Sequence, residues 1–134
     1  MTDDSFIGNM RVFSLEEANE LLPEVRKLLR SIQREHRRLI SFQTAAQAAA
    51  EAAERGDGGM IGGAVYLRAL MKLQIETGEV TALGVQLKDY ARGLIDFPSL
   101  RDGRIVLLCW QLGEADRIEW WHDVEAGFAG RQPL

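Results

Sequence analysis

A single cysteine, Cys109, stands among 134 residues, so no intrachain disulfide can form and a reducing cytoplasm is the expected setting. Long apolar runs are missing too. The longest, Ile105 to Trp110, falls far short of the about 20 residues that span a bilayer, which argues against a membrane-spanning helix. The opening Met1-Thr2-Asp3-Asp4-Ser5 has neither the basic flank nor the apolar core of a signal peptide. Positive charge is in deficit, with 16 basic against 20 acidic side chains and a net charge of −4. General binding to polyanions is therefore disfavoured, and nucleic acid is not an expected partner. No internal repeat occurs, and no CxxC or HExxH spacing or phosphate loop names a reaction.

What is present is an ordinary globular balance, 46% hydrophobic and 27% charged, in a length that suits one domain. Residues 1–12 lack periodicity and read as a loose arm. Order begins at Phe13. Ser14 and Glu17 form a capping box, in which each side chain bonds the other residue's amide, and this starts a helix. From Leu15, positions spaced three and four apart run Ala18, Leu22, Val25, Leu29, Ile32, His36, Leu39, Gln43, Ala46, Ala50 and Ala53. That heptad stripe predicts a helix of roughly 40 residues, about 60 Å long, which Pro23 is expected to bend. Five glycines between Gly56 and Gly63 then allow reversal. A second helix is predicted over about Ala64 to Leu83, giving an antiparallel helical hairpin over residues 14–84. Its apolar arc, including Leu67, Met71 and Ile75, is wider than one neighbour covers, so a sheet or second protomer must meet it.

From Val85 the period changes from 3.6 to 2, and residues 85–134 read as a three-stranded antiparallel sheet with a C-terminal tail. Leu94 to Phe97, Arg104 to Leu112 and Arg117 to His122 are the predicted strands. Asp102 and Gly103 suit the two positive φ values of a type I′ turn. With that turn, Arg101 pairs with Arg104 and Asp96 lies opposite Cys109. A four-residue loop at 113–116 sets Cys109 opposite Trp120, with His122 two residues farther along the same face. Asp96, Cys109 and His122 then share one surface. Carboxylate, thiolate and imidazole are ligands for zinc or another borderline transition metal, with Asp123 and Glu125 nearby. Two other readings stand beside this one. Cys109 can be a small buried hydrophobe, with His122 bonded to Asp123 or a backbone carbonyl and Asp96 capping a turn. Cys109 and His122 can also form a hydrolytic pair.

Other residues invite weaker readings. Trp110 and Trp121 share the opposite face from Trp120 and can line a ligand pocket or pack as core, while Arg101 and Arg131 can receive an anion. His36 and Gln43 occupy heptad core positions, where polar groups set register. Lys27, Arg30, Arg34 and Arg37 or Arg38 make a basic stripe, read as a solvated face that can dock on the acidic segment Glu114 to Glu125.

Several segments are familiar as they stand. These are Phe13 to Pro23, Gly93-Leu94-Ile95-Asp96-Phe97-Pro98, Arg101-Asp102-Gly103, Leu108-Cys109-Trp110, Gly113-Glu114, Trp121-His122 and Gly127-Phe128-Ala129-Gly130-Arg131. Together they resemble a small bacterial family known as domain of unknown function 2203. The resemblance implies a stand-alone cytoplasmic bacterial protein and carries no mechanism. The expected fold is therefore α+β, a long helical hairpin packed on a small three-stranded sheet. The expected function is a non-enzymatic homodimeric binding or interaction module joined through the hairpins, with an unidentified protein or small-molecule partner. The alternative is a metal- or small-ligand site, open to catalysis, on the Asp96, Cys109 and His122 face.

Overall fold

A computed structural model of the chain describes residues 5–54 and 63–134. The chain runs β1 (Phe6–Ile7), β2 (Met10–Arg11), α1 (Leu15–Glu54), α2 (Gly63–Ala82), β3 (Gln86–Asp89), β4 (Leu94–Arg101), β5 (Arg104–Gln111), β6 (Trp120–Asp123), a 3₁₀ turn (Phe128–Gly130) and β7 (Gln132–Pro133). The α+β class agrees with the sequence reading. Its details require correction.

The sheet has five antiparallel strands in the order β3-β4-β5-β6-β7 rather than three. Both added strands are short edge strands, four and two residues long, too brief to show alternation. The arm expected over 1–12 also contains structure: β1 and β2 form a small antiparallel pair, and Val12 and Phe13 are buried. The two helices have 40 and 20 residues, close to the predicted lengths, and because α1 is twice as long as α2 the expected helical hairpin is matched only in part. Side-chain links from Ser31 to Glu76 and from Phe42 to Tyr66 set α2 antiparallel against the later part of α1. The glycines from Gly56 to Gly62, expected to form the connector, lie outside the described residues.

The start of α1 follows the sequence reading. Ser14 N–H donates to Glu17 Oε1 at 2.9 Å, and Glu17 N–H donates to Ser14 Oγ at 3.1 Å, which satisfies two amides that the first turn leaves open. The helix continues through Pro23. Ala18, Leu22, Val25, Leu29 and Ile32 are all fully buried. They join Ile95, Phe97, Val106, Leu108, Trp110 and Trp121 in one core. The heptad seam is thus spent inside the protomer, against one face of the sheet as far as Ile32, and Leu39 is buried farther along. Beyond it Gln43 is exposed. His36 stacks on Tyr90 with centroids 5.6 Å apart, while the neighbouring Glu35 is the buried polar group, 3.6 Å from Lys72 Nζ.

Register in the sheet is set by its central turn. Asp102 and Gly103 have φ values of 51° and 76°, as a type I′ turn requires, and Arg101 pairs with Arg104. Pro98 sits within β4 opposite Leu107, beyond the stretch that β3 covers. Its carbonyl accepts from Phe13 N–H at 2.7 Å, so the missing amide of proline interrupts no ladder bond to β5. At the other end of β4, Gly93 has φ 60°, and a Cβ there would stand 2.5 Å from Leu112 Cδ1.

Gly93→Ala therefore combines a left-handed backbone with a clash, and it is expected to cost about 2 kcal/mol. Urea unfolding checks this. A change within about 0.5 kcal/mol of zero would show that the β4–β5 end tolerates a side chain.

Candidate metal centre

Alternation along the strands gives the sheet two faces with different chemistry. The face toward α1 takes Ile95, Phe97, Leu108, Trp110 and Trp121. The other takes Asp96 from β4, Cys109 from β5 and His122 from β6. Asp96 is opposite Cys109, Cys109 is opposite Trp120, and His122 is opposite Leu107, two residues along from Cys109. The predicted pairs Arg101↔Arg104, Asp96↔Cys109 and Cys109↔Trp120 are all present, and this register brings the three groups together. Their ligand atoms all lie within 4.8 Å of one another. All three residues are buried, at 2%, 0% and 2% exposure, a depth at which polar groups require partners.

The imidazole is fixed from both sides. Its Nδ1 lies 2.8 Å from the Asp123 carbonyl oxygen. A carbonyl oxygen can only accept, so Nδ1 carries the hydrogen. In the neutral ring this leaves Nε2 with a lone pair, and Nε2 faces Asp96 Oδ1 at 3.1 Å. Two acceptors aimed at each other require a proton or a cation between them. An Nδ1–H bound to a backbone carbonyl, with Nε2 turned inward, is also the orientation that metal-bound histidines take. Tetrahedral coordination with bonds of about 2.0–2.3 Å would space the ligand atoms about 3.3–3.6 Å apart, so the observed cluster would contract by up to about 1.3 Å around an ion.

The thiol adds a second observation. Burial first, and then the Asp96 carboxylate beside it, push the Cys109 pKa up to about 12, while Arg131 pulls more weakly in the opposite direction. Cys109 is therefore a neutral thiol at physiological pH, unlike an activated nucleophile. Both nitrogens of His122 are also engaged elsewhere, with Asp123 and Asp96. The Cys–His hydrolytic pair finds no support in this arrangement. A bound cation would change the state of the sulfur, since coordination deprotonates a thiol.

The chain's C-terminal segment covers this face. Arg131 donates two bonds to Glu114, each 2.7 Å long, and a third of 3.3 Å to the Cys109 carbonyl. Burial opposes the guanidinium charge, but the bonds and charges of Glu114 and Cys109 together more than offset it and raise the Arg131 pKa. The same guanidinium lies 5.2 Å from the Trp120 ring and 4.6 Å from Phe128. This clamp, with β7 paired to β6, holds the tail over the site. Between tail and sheet is a cavity of about 170 Å³ that reaches Asp96, Cys109 and His122. Its other walls are Leu94, Leu107, Val124, Gly127 and Phe128, with Lys88.

The residues read from sequence as ligand-binding do not converge. Trp110 is core, its Nε1–H donating to the Ala115 carbonyl at 2.8 Å. Trp121 is core as well, with the exposed Arg101 guanidinium 4.6 Å from its ring at the far end of the hairpin. Arg131 alone lies on the face of Asp96, Cys109 and His122, where it is a clamp. The Asp123 carboxylate, a spare ligand on the sequence reading, pairs with Arg104 at 2.6 Å. Asp96 caps no turn, for it lies within β4. The basic stripe on α1 is exposed, and it is Arg26, outside that stripe, that reaches the acidic segment at Asp116, 3.0 Å away. Sequence reasoning missed Lys88 and the Glu114–Arg131 pair. Both Gly113-Glu114 and the tail were conspicuous as motifs, but nothing in their spacing showed that they meet.

In the metal-free protein, Cys109 should alkylate with iodoacetamide at pH 8 on the order of a thousandfold more slowly than in the urea-unfolded chain, where a thiol titrates near about 8.5. Equal rates would mean that the thiol is neither buried nor held neutral.

Among the described residues, no helix is long and apolar enough to cross a membrane. No curated protein and no solved structure matches the chain. Residues 11–134 match the family model described as "Uncharacterized conserved protein (DUF2203)", and the chain belongs to that family.

Proposed function

We propose that the protein binds one divalent transition-metal ion through Asp96, Cys109 and His122, and that the ion keeps a coordination position open toward the adjoining cavity. The observation that carries this reading is the imidazole: its Nδ1–H is committed to the Asp123 carbonyl, which leaves the Nε2 lone pair aimed at a carboxylate oxygen. A cation resolves that opposition and gives the neutral thiol a reason to ionise. One sulfur, one nitrogen and one carboxylate oxygen suit zinc, and three protein ligands with a vacant fourth position are the pattern of catalytic rather than structural zinc sites. Such an ion acts as a Lewis acid toward whatever enters the cavity.

The expected stoichiometry is one zinc per chain. Cys109→Ala should weaken binding by more than the roughly 10–100-fold that loss of an outer-shell partner costs, as read by competition with a chelator. Zinc bound equally well by the variant would overturn the proposal. The sign of the pH dependence follows from the raised thiol pKa. Below about 12 the free protein holds a proton on sulfur, metal must displace it together with the proton that Nε2 and Asp96 share in the absence of a cation, and apparent affinity should rise at least about tenfold per pH unit between pH 6 and pH 8. Calorimetry in buffers of different ionisation enthalpy would register the released proton, and a pH-independent affinity would contradict the ligand assignment.

A second reading, compatible with the first, is a homodimer joined through the helices. It is favoured by the outer face of α2, where Leu67, Met71 and Ile75 recur every four residues at 55%, 52% and 60% exposure. Burying such a stripe is worth about 25 cal/mol for each Å² removed from water, before the costs of association. Arg68 and Glu79 flank one side of it, three turns apart, with no ion pair among the described residues, so each can meet the other's counterpart across an antiparallel two-fold axis. Light scattering at micromolar concentration should give twice the chain mass, and Met71→Glu with Ile75→Glu should give the monomer. A monomeric parent protein would overturn this reading.

A further inference from the structure

The cavity beside the three ligands holds a cation that the metal reading does not use. Lys88 lines it and makes no ion pair among the described residues. The backbone puts this side chain there. Between β3 and β4 the pairing steps from Leu87↔Ile95 to Asp89↔Leu94, so Lys88 is the extra residue of a β-bulge. Bulges redirect a side chain, and they concentrate beside functional sites. The remaining walls are apolar: Leu94, Leu107, Val124 and Phe128.

From these residues we infer that the cavity binds a short-chain aliphatic carboxylate, whose carboxylate group takes the open metal position while facing Lys88. The inference rests on the metal reading above. Charge supports it. A divalent ion with one carboxylate, one thiolate and one neutral imidazole has no net charge, so a further anion leaves the complex at −1. The Lys88 ammonium restores neutrality in a pocket where an unbalanced charge is costly. Shape supports it too. The cavity volume of about 170 Å³ equals about six waters at roughly 30 Å³ each, the size of an acid of about three to five carbons. Four apolar side chains offer nothing to the outer oxygens of inorganic phosphate, which would be stripped of water without replacement. An alkyl chain gains from the same walls.

The test uses the full-length protein loaded with cobalt(II), whose visible spectrum reports a change of ligand. Butyrate, butyramide and inorganic phosphate are titrated separately, and calorimetry is run in parallel. Butyrate is expected to shift the spectrum and saturate at one per cobalt, with butyramide and phosphate at least tenfold weaker. Lys88→Met should weaken butyrate at least tenfold and leave cobalt affinity within twofold. Lys88 is exposed, so this replacement leaves the core intact. Butyramide or phosphate binding as well as butyrate, or butyrate binding unchanged in Lys88→Met, would overturn the carboxylate assignment. Stoichiometric cobalt uptake without any response to butyrate would overturn it while leaving the metal site standing. Failure to take up cobalt would overturn both.

Discussion

Two residues with positive φ at the tip of one hairpin govern the chemistry of this protein. Asp102 and Gly103 set Arg101 against Arg104, and every later pair between β4 and β5 follows from that start. A slip of one residue would send Asp96 to the helix side and bring Ile95 or Phe97 outward, because strand side chains alternate with a period of two. The packed helix side resists such a slip. Phe97, Leu108 and Trp110 are buried to within 3% against the apolar stripe of α1, and their loss to solvent would cost several kcal/mol. The same core that stabilises the fold therefore holds a carboxylate, a thiol and an imidazole together on the reverse face.

That reverse face is covered by a few residues rather than by a second layer of helices. The C-terminal segment is tied down by the Arg131–Glu114 pair, by a bond from Arg131 to the Cys109 carbonyl and by the pairing of β7 with β6. Since Arg131 reaches the backbone of the residue that carries the sulfur, closure of the tail and placement of the thiol are coupled. Burial by this cover keeps Cys109 neutral when no cation is present, and the same burial strengthens the attraction between a bound cation and its ligands. A small cavity is left beneath the tail, beside the three groups.

Much of this was legible in the residues, and the parts that were not share a physical cause. The capping box, the heptad stripe and the Asp-Gly turn are local signals, and each is found where its chemistry requires. Register followed by counting from the turn, which is why the convergence of Asp96, Cys109 and His122 was accessible before any coordinates. The edge strands β3 and β7 were hidden because segments of four and two residues show no periodicity. Lys88 was hidden because a bulge breaks the alternation from which a facing is inferred. The Glu114–Arg131 clamp joins positions separated by 17 residues, and only the path of the chain brings them together. His36 was read as a core residue from its heptad position, yet it is half-buried against Tyr90, and its neighbour Glu35 is the buried polar group because Lys72 and Arg38 supply it with charge partners.

X-ray absorption at the metal edge of the zinc-loaded protein tests the central claim most directly. The account predicts one sulfur scatterer at about 2.3 Å, the remaining neighbours being nitrogen or oxygen at about 2.0–2.2 Å. A shell with no sulfur, or with more than one, would contradict it.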